Sequence, residues 1–324
     1  MARPADFVTG TASPSLALTK YWGKEEGGAN VPATSSLAVT LDGLSTTTHL
    51  QRTTGADTVI VDGEPQPEAR FASVFEALRA ETGSDNHFLA ESSNDFPTAA
   101  GLASSSSGIA ALVCAGDALL GSELPRWKLS RIARVGSGSA ARAVFGGFTA
   151  LPAGGTEARQ LHPPEYWPEL RIVAAVLKGG GKALSSREAM ERVRRSSPFF
   201  PAWKAAAEEL FAEAREALSL RDLERLGHAT RLSYLRMFST MFAADPPVFY
   251  WEPRSIAVIR LCEELRRDGV PAYETMDVGP QVKVVTTAEH VEPIRRSLLE
   301  LAETVMVSSV GPEPRIGIDP EDAP

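Results

Sequence analysis

Residues 35–52, SSLAVTLDGLSTTTHLQR, and residues 57–64, DTVIVDGE, alternate apolar and polar positions. A period of two predicts strands, with Asp42-Gly43 and Asp62-Gly63 as turns. The period then changes. EARFASVFEALRAETG (68–83) places apolar residues at helical spacing and stops at a glycine. HFLAESSNDFP (87–97) reads as a strand entering a loop. GIAALVCAGDALLG (108–121) is apolar on every side, which predicts a buried helix. PRWKLSRIARVGSGSAARAVFGG (125–147) predicts a short helix, a small-residue loop and a second helix start. FTALPAGG (148–155) and LRIVAAVLKGGG (170–181) return to strand.

From about residue 185 to 242 the spacing is strongly helical, and RSIAVIRLCEELRRDG (254–269) adds another amphipathic helix. VPAYETMDVGPQVKVVTT (270–287) reads as strand, turn, strand, and HVEPIRRSLLELAETV (290–305) as a last helix. The tail GPEPRIGIDPEDAP (311–324) is rich in Pro and Asp, and partial disorder is expected there. The composition shifts at KGGGKALSS, which predicts two domains, 1–180 and 181–324. The class is α+β, because the elements do not repeat as regular βα units.

Bulk properties narrow the function. The 324 residues are 43% hydrophobic and 23% charged, an ordinary globular composition. A formal net charge of −8 argues against a nucleic-acid partner. Cys114 and Cys262 lie in apolar stretches without a CxxC or Cys/His cluster, so a reducing compartment is expected and a structural zinc site is not. The opening MARPADFVTG has no apolar core of signal-peptide length, and no run reaches a membrane span. A cytoplasmic location without membrane attachment is the expectation. The five histidines are scattered without ligand spacing, so no metal ligand is assigned.

Four segments carry candidate chemistry. DFPTAAGLASSSSG (95–108) puts glycine and serine directly before an apolar helix, where unpaired backbone N–H groups and the helix dipole favour an anion. It is not a Walker A loop, because no Lys-Ser/Thr pair follows the glycine. A tight serine-capped loop against a sheet is the bland alternative. SLALTKYWGK (15–24) sets Lys20 and Lys24 around an aromatic turn suited to a phosphorylated ligand, although such lysines are commonly solvated. GSGSAAR (136–142) offers a second small-residue loop and Arg142, fit for a carboxylate or phosphate or for a surface position. MDVGP (276–280) places Asp277 at the end of an apolar strand, as a turn residue or a positioned base.

Together LALTKYWGK (16–24), NDFPTAAGLASSSSG (94–108), RIARVGSGSAARAVFGGF (131–148) and YETMDVGPQVKVV (273–285) resemble the diphosphomevalonate decarboxylases of the GHMP kinase superfamily. SSREAM (185–190) and FAADPPVFYW (242–251) add weaker support. The resemblance implies a GHMP kinase fold. Its N-terminal domain would be like ribosomal protein S5 domain 2, its C-terminal domain ferredoxin-like, with the site in the cleft between them. It implies ATP-dependent decarboxylation of mevalonate 5-diphosphate to isopentenyl diphosphate, with Mg2+ accompanying ATP. By the same resemblance Asp277 orients or deprotonates the 3-hydroxyl, Lys20 stands beside it, and Arg142 holds the substrate carboxylate. Tyr21, Lys24, Ser137, Gly138, Ser139 and Ser186 match the diphosphate cradle. Ala99, Gly101, Leu102, Ala103, Ser104 and Ser105 match the ATP phosphate loop, whereas Ser106 and Ser107 are expected in the first helical turn. No Mg2+ ligand is assigned, and a homodimer is expected.

The chain departs from the family pattern in places. Ser15 stands for the usual Asn, Ala141 for Cys, Phe238 for His and Gln281 for Asn. The Phe238 departure is expected to remove a polar group near the substrate. Sister activities on the same fold, a 5-phosphate decarboxylase or a mevalonate 3-kinase, are the nearest alternatives. A non-catalytic regulatory relative is the alternative of another class. Lys20, Arg142 and Asp277 are all present, which favours decarboxylation.

Overall fold

The computed structural model describes residues 7–25, 28, 30–96, 104–178 and 184–317. The chain opens with β1 (Phe7–Ala12), β2 (Ser15–Ala17), β3 (Ser36–Thr40), β4 (Thr46–Thr53), β5 (Thr58–Val61) and β6 (Glu64–Pro65). Next come α1 (Ala72–Thr82), β7 (His87–Asn94), α2 (Ser104–Leu120), α3 (Arg126–Gly136) and the short α4 (Ala140–Ala143). Three strands follow: β8 (Phe148–Leu151), β9 (Arg159–His162) and β10 (Leu170–Val176). A helical stretch holds α5 (Ser186–Ser196), α6 (Phe200–Leu220), α7 (Leu223–Phe242) and α8 (Pro253–Arg267). The chain closes with β11 (Tyr273–Met276), β12 (Val282–Thr287), α9 (Val291–Leu298), β13 (Thr304–Ser308) and β14 (Arg315–Gly317).

These strands form three sheets, of order β14-β1-β4-β7-β5-β6, β2-β3-β8-β9 and β11-β12-β10-β13. Pairing is antiparallel except between β5 and β7. The period-two run at 35–52 does not fold back on itself. Its halves, β3 and β4, enter different sheets, and Asp42-Gly43 turns the chain from one to the other. Asp62-Gly63 does close a hairpin, pairing Val61 with Glu64. β10 precedes residue 180 in sequence yet pairs with β12 and β13.

Two readings of the C-terminal region change. The helix expected over 290–305 stops at Leu298, and Thr304–Ser308 forms β13, as its β-branched residues favour. The tail is not irregular from its start, because Arg315–Gly317 pairs with β1. The expectation of disorder for 318–324 lies outside the described residues.

Apolar burial holds the layers together. α1, α2 and α3 cover the six-stranded sheet through Leu50, Phe75, Leu78, Phe88 and Ile109. Under α7 and α8, Trp203, Tyr234, Phe238 and Val284 form a second core. The third core joins both parts of the chain: Leu16, Leu37 and Phe148 pack with Ile172, Leu210, Leu218 and Val285. Each such side chain contributes about 1.5–3 kcal/mol when fully buried. This shared core fixes β2 and its following turn against α7 and the β11–β12 hairpin.

Candidate active site

Lys20 follows β2 and is held from several sides. The backbone N–H of Leu18 donates to Leu37 O, and that of Lys20 donates to Ser233 Oγ on α7 at 2.9 Å. The turn continues through Gly23, whose φ of +102° favours glycine; a Cβ there would also meet the Phe200 ring at 2.6 Å. Lys20 is 2% exposed, and its Nζ donates to Ala17 O and to Asp277 Oδ1, both at 2.8 Å. Asp277 leaves β11 at the hairpin mouth. Its second oxygen, Oδ2, accepts from Lys283 Nζ of β12 at 3.3 Å. One carboxylate therefore sits between two buried ammonium groups.

These contacts set the charge states. Burial raises the Asp277 carboxyl's affinity for its proton, but Lys20 and Lys283 outweigh it and hold the group well below the usual carboxylate range. Burial pushes Lys20 down to about 8, partly offset by Asp277. Arg142, carried by α4, is 2% exposed, and burial lowers it to about 10, still charged at neutral pH. It donates to Ser36 Oγ at 2.6 Å, and its Nε has no partner among the described residues. A buried guanidinium so thinly paired is costly, and a carboxylate or phosphate would offset that cost.

The GSGS loop lies between α3 and α4. A Cβ on Gly138 would come within 2.6 Å of the Tyr21 ring, so the glycine lets the two segments touch. Tyr21 OH donates to Asn30 O at 3.1 Å, and burial raises the phenol to about 12. Asn30 joins the parts. Its Nδ2 donates to Arg134 O and Val135 O, and its Oδ1 accepts from Lys24 Nζ. Burial, then Arg187, lowers Lys24 to about 8.

Across the cleft α5 begins with a capping box. Glu188 N donates to Ser185 Oγ, and Ser185 N donates to Glu188 Oε2. The box fixes the start of the helix, so Ser185, Ser186 and Arg187 face the cavity. That cavity holds about 580 Å³ and is also lined by Lys20, Tyr21, Lys24, Ser105, Ser137, Gly138, Ser139, Arg142 and Asp277. Among the described residues its charged lining is Lys20, Lys24, Arg70, Arg142 and Arg187 against Asp277. A strongly cationic cleft in a chain of net charge −8 is built for a multiply charged anion.

The structure thus gathers Lys20, Arg142, Asp277 and all six residues of the expected diphosphate cradle around one cavity. Ser104 and Ser105 open α2, with Ser105 on the cavity wall. Ala99, Gly101, Leu102 and Ala103 lie outside the described residues. Ser106 and Ser107 are buried first-turn residues: Ser106 Oγ accepts from Ser15 N, and Ser107 Oγ pairs with Thr46 Oγ1. Phe238 does not line the cavity; it packs against Tyr234, Phe242 and Trp251, and Met237 lines the wall instead. Gln281 joins the turn to Leu177 through both its amide atoms. Sequence reasoning missed Lys283, Asn30, Arg70 and Arg187. The signal for Lys283 was a lysine inside the apolar run QVKVV.

The fold and this cleft define an α+β enzyme of the GHMP kinase type. The diphosphomevalonate decarboxylase-like N-terminal domain matches residues 12–161, and the mevalonate 5-diphosphate decarboxylase C-terminal domain matches residues 172–313. A diphosphomevalonate decarboxylase of Ganoderma lucidum is 34% identical over 323 residues, covering 89% of this chain and 80% of that protein. The crystal structure of mevalonate diphosphate decarboxylase from Staphylococcus aureus superposes with a TM-score of 0.90 at 31% identity, over 96% of this chain and 98% of that one. A solved complex of MDDEF with MVAPP, AMPPCP and magnesium gives a TM-score of 0.88 at 33% identity, over 96% of this chain and 99% of that one. The chain belongs to the diphosphomevalonate decarboxylase family.

Proposed function

We propose that this enzyme uses ATP to convert mevalonate 5-diphosphate into isopentenyl diphosphate, ADP, phosphate and CO2. The observation that carries the reading is the pairing, in one cavity, of an under-partnered buried guanidinium with a carboxylate held between two lysines. The substrate presents a carboxylate, a tertiary hydroxyl and a diphosphate. Arg142 takes the carboxylate as a bidentate pair. Tyr21, Lys24, Ser137, Gly138, Ser139 and Ser186 hold the diphosphate at the other end of the cavity.

Asp277 accepts a hydrogen bond from the 3-hydroxyl. Its depressed proton affinity makes it a weak base, so its role is to orient the hydroxyl toward the transferring phosphoryl group. Lys20 offsets negative charge that gathers during transfer. The phosphorylated oxygen then leaves C3 with its bonding electrons. As positive charge grows at C3, the bond from C2 to the carboxyl carbon breaks, and its electron pair becomes the C2–C3 double bond. By binding the carboxylate, Arg142 fixes the direction in which that bond breaks.

ATP enters as a co-substrate, with Mg2+ carried chiefly by its phosphate oxygens. The start of α2 fits this use: a 17-residue helix presents Ser105 to the cavity at its positive end. Among the described residues no group of three His, Cys, Asp or Glu side chains could hold a metal by itself. The segment before Ser104 completes the phosphate loop in this reading.

We also propose two domains with a boundary near 180, across which β10 pairs with β12 and β13, and a cytoplasmic homodimer. Both cysteines are reduced and buried, and no described helix is long and apolar enough to cross a membrane. Exposed Phe199 and Phe249 supply apolar surface for self-association, which sedimentation would test. The test of the mechanism is Asp277→Asn, which should lower kcat at least about a hundredfold. Unchanged turnover in that variant would defeat the assignment.

A further inference from the structure

Lys283 has no part in the mechanism so far, yet its placement is unusual. A lysine at the second position of β12 would be expected to reach water, but this one is 1% exposed. In the sheet it is flanked on both sides, paired with Thr275 of β11 and Ala174 of β10. It does not reach the cavity wall, whereas Lys20 and Asp277 do. The two lysines take different oxygens of Asp277: Lys20 takes Oδ1 at 2.8 Å and Lys283 takes Oδ2 at 3.3 Å.

We propose that Lys283 is a positioning residue, which anchors the rear oxygen of Asp277 from β12 so that the carboxylate stays aimed into the cavity while Lys20 turns to the ligand. The proposal rests on Asp277 being the group that meets the reacting hydroxyl. A carboxylate held by one lysine alone could rotate about its Cβ–Cγ bond whenever that lysine engaged phosphate. A second anchor on the other oxygen removes that freedom. Each oxygen keeps a lone pair, so Asp277 can still accept from a hydroxyl. The division of labour follows burial: the cavity-lining lysine serves the ligand, and the strand lysine serves the carboxylate.

The charged groups facing Asp277 among the described residues are Lys20 from the turn after β2, Lys283 from β12 and Arg142 from α4. α7 contributes the neutral Met237 and Ser233 to this region. Burial opposes the charged carboxylate, and the two lysines together overcome it. Losing either should therefore let the carboxyl bind a proton more readily. A cation within about 4–6 Å typically shifts a carboxyl by about 1–3 units.

The experiment titrates the Asp277 carboxyl by carbon-13 NMR of aspartate-labelled, ligand-free protein. In Lys283→Met the titration should move up by at least about one pH unit. Lys283→Arg should keep it low. In parallel, the acid limb of kcat/KM should rise in Lys283→Met and return in Lys283→Arg. A structural role alone would lower the amount of active enzyme without moving that limb. An unmoved carboxyl titration in Lys283→Met overturns the proposal. Should that variant not fold, Lys20→Met decides. Asp277 still titrating below the ordinary carboxylate range there supports Lys283 as its anchor, and a return to that range overturns it. The NMR arm requires no turnover, so failure of the decarboxylase reading and failure of this one are seen separately.

Discussion

Replacing Arg142 by methionine separates function from stability. The guanidinium is buried near Lys20 and Asp277, with one hydrogen bond to Ser36 Oγ and an Nε that has no partner among the described residues. A fall from 12.5 to about 10 corresponds to about 3 kcal/mol disfavouring the charged form inside the protein. Methionine nearly fills the same space and removes that burden, but it leaves Ser36 Oγ without its donor at a cost of about 1 kcal/mol. The ligand-free variant should therefore be more stable by about 2 kcal/mol. For a 324-residue chain that is a rise of about 3 °C in Tm. Catalysis should go the other way. Loss of two charge-assisted hydrogen bonds to the substrate carboxylate costs about 3–5 kcal/mol, or about 10²–10⁴ in kcat/KM. Thermal unfolding with and without mevalonate 5-diphosphate reads both effects, because ligand stabilisation follows its binding constant. A variant that is markedly less stable without ligand would refute the reasoning, since Arg142 would then hold the fold rather than await an anion.

Other outcomes follow from the same contacts. Burial lowers Lys20 and Lys24 to about 8, so kcat/KM should decline as pH rises through that value, and Lys20→Arg should carry its part of the limb upward; a flat alkaline profile contradicts this. The sign for stability is opposite. Since the folded form of Lys20 holds its proton less tightly than the unfolded chain, its contribution improves as pH rises from about 8 toward 10.5, as denaturation series would show. Gly138→Ala pushes a methyl toward the Tyr21 ring and should raise KM for the diphosphate about tenfold with little change in kcat; a KM within twofold of wild type contradicts the cradle. Glu274, fully buried between Arg231 and Arg266, both at 2.6 Å, should cost about 3–5 kcal/mol as Glu274→Gln in urea denaturation, and a loss below 1 kcal/mol would show that the clamp is not a stabilising one.

Local patterning made the long helices legible. It read α1, α2 and α6 to α8 because their apolar spacing runs over several turns. It did not show which strands pair. β3 and β4 have the period of a hairpin, but the cores on either side of Asp42-Gly43 draw them into separate sheets. β13 and β14 are short, and only their partners β10 and β1 identify them. In the site, Lys20, Arg142 and Asp277 were legible as separate motifs, and their meeting depends on the shared third core. Lys283 was hidden because a lysine within a strand ordinarily alternates outward. Asn30 was hidden because its role is to bond backbone groups of a distant helix end.

The central claim is tested most directly by steady-state release of ADP and CO2 from mevalonate, its 5-phosphate and its 5-diphosphate, each with ATP and Mg2+. The account predicts equal release of ADP and CO2 from the 5-diphosphate, with far lower kcat/KM for the other two. ADP release without CO2, or preference for a substrate lacking the diphosphate, would contradict it.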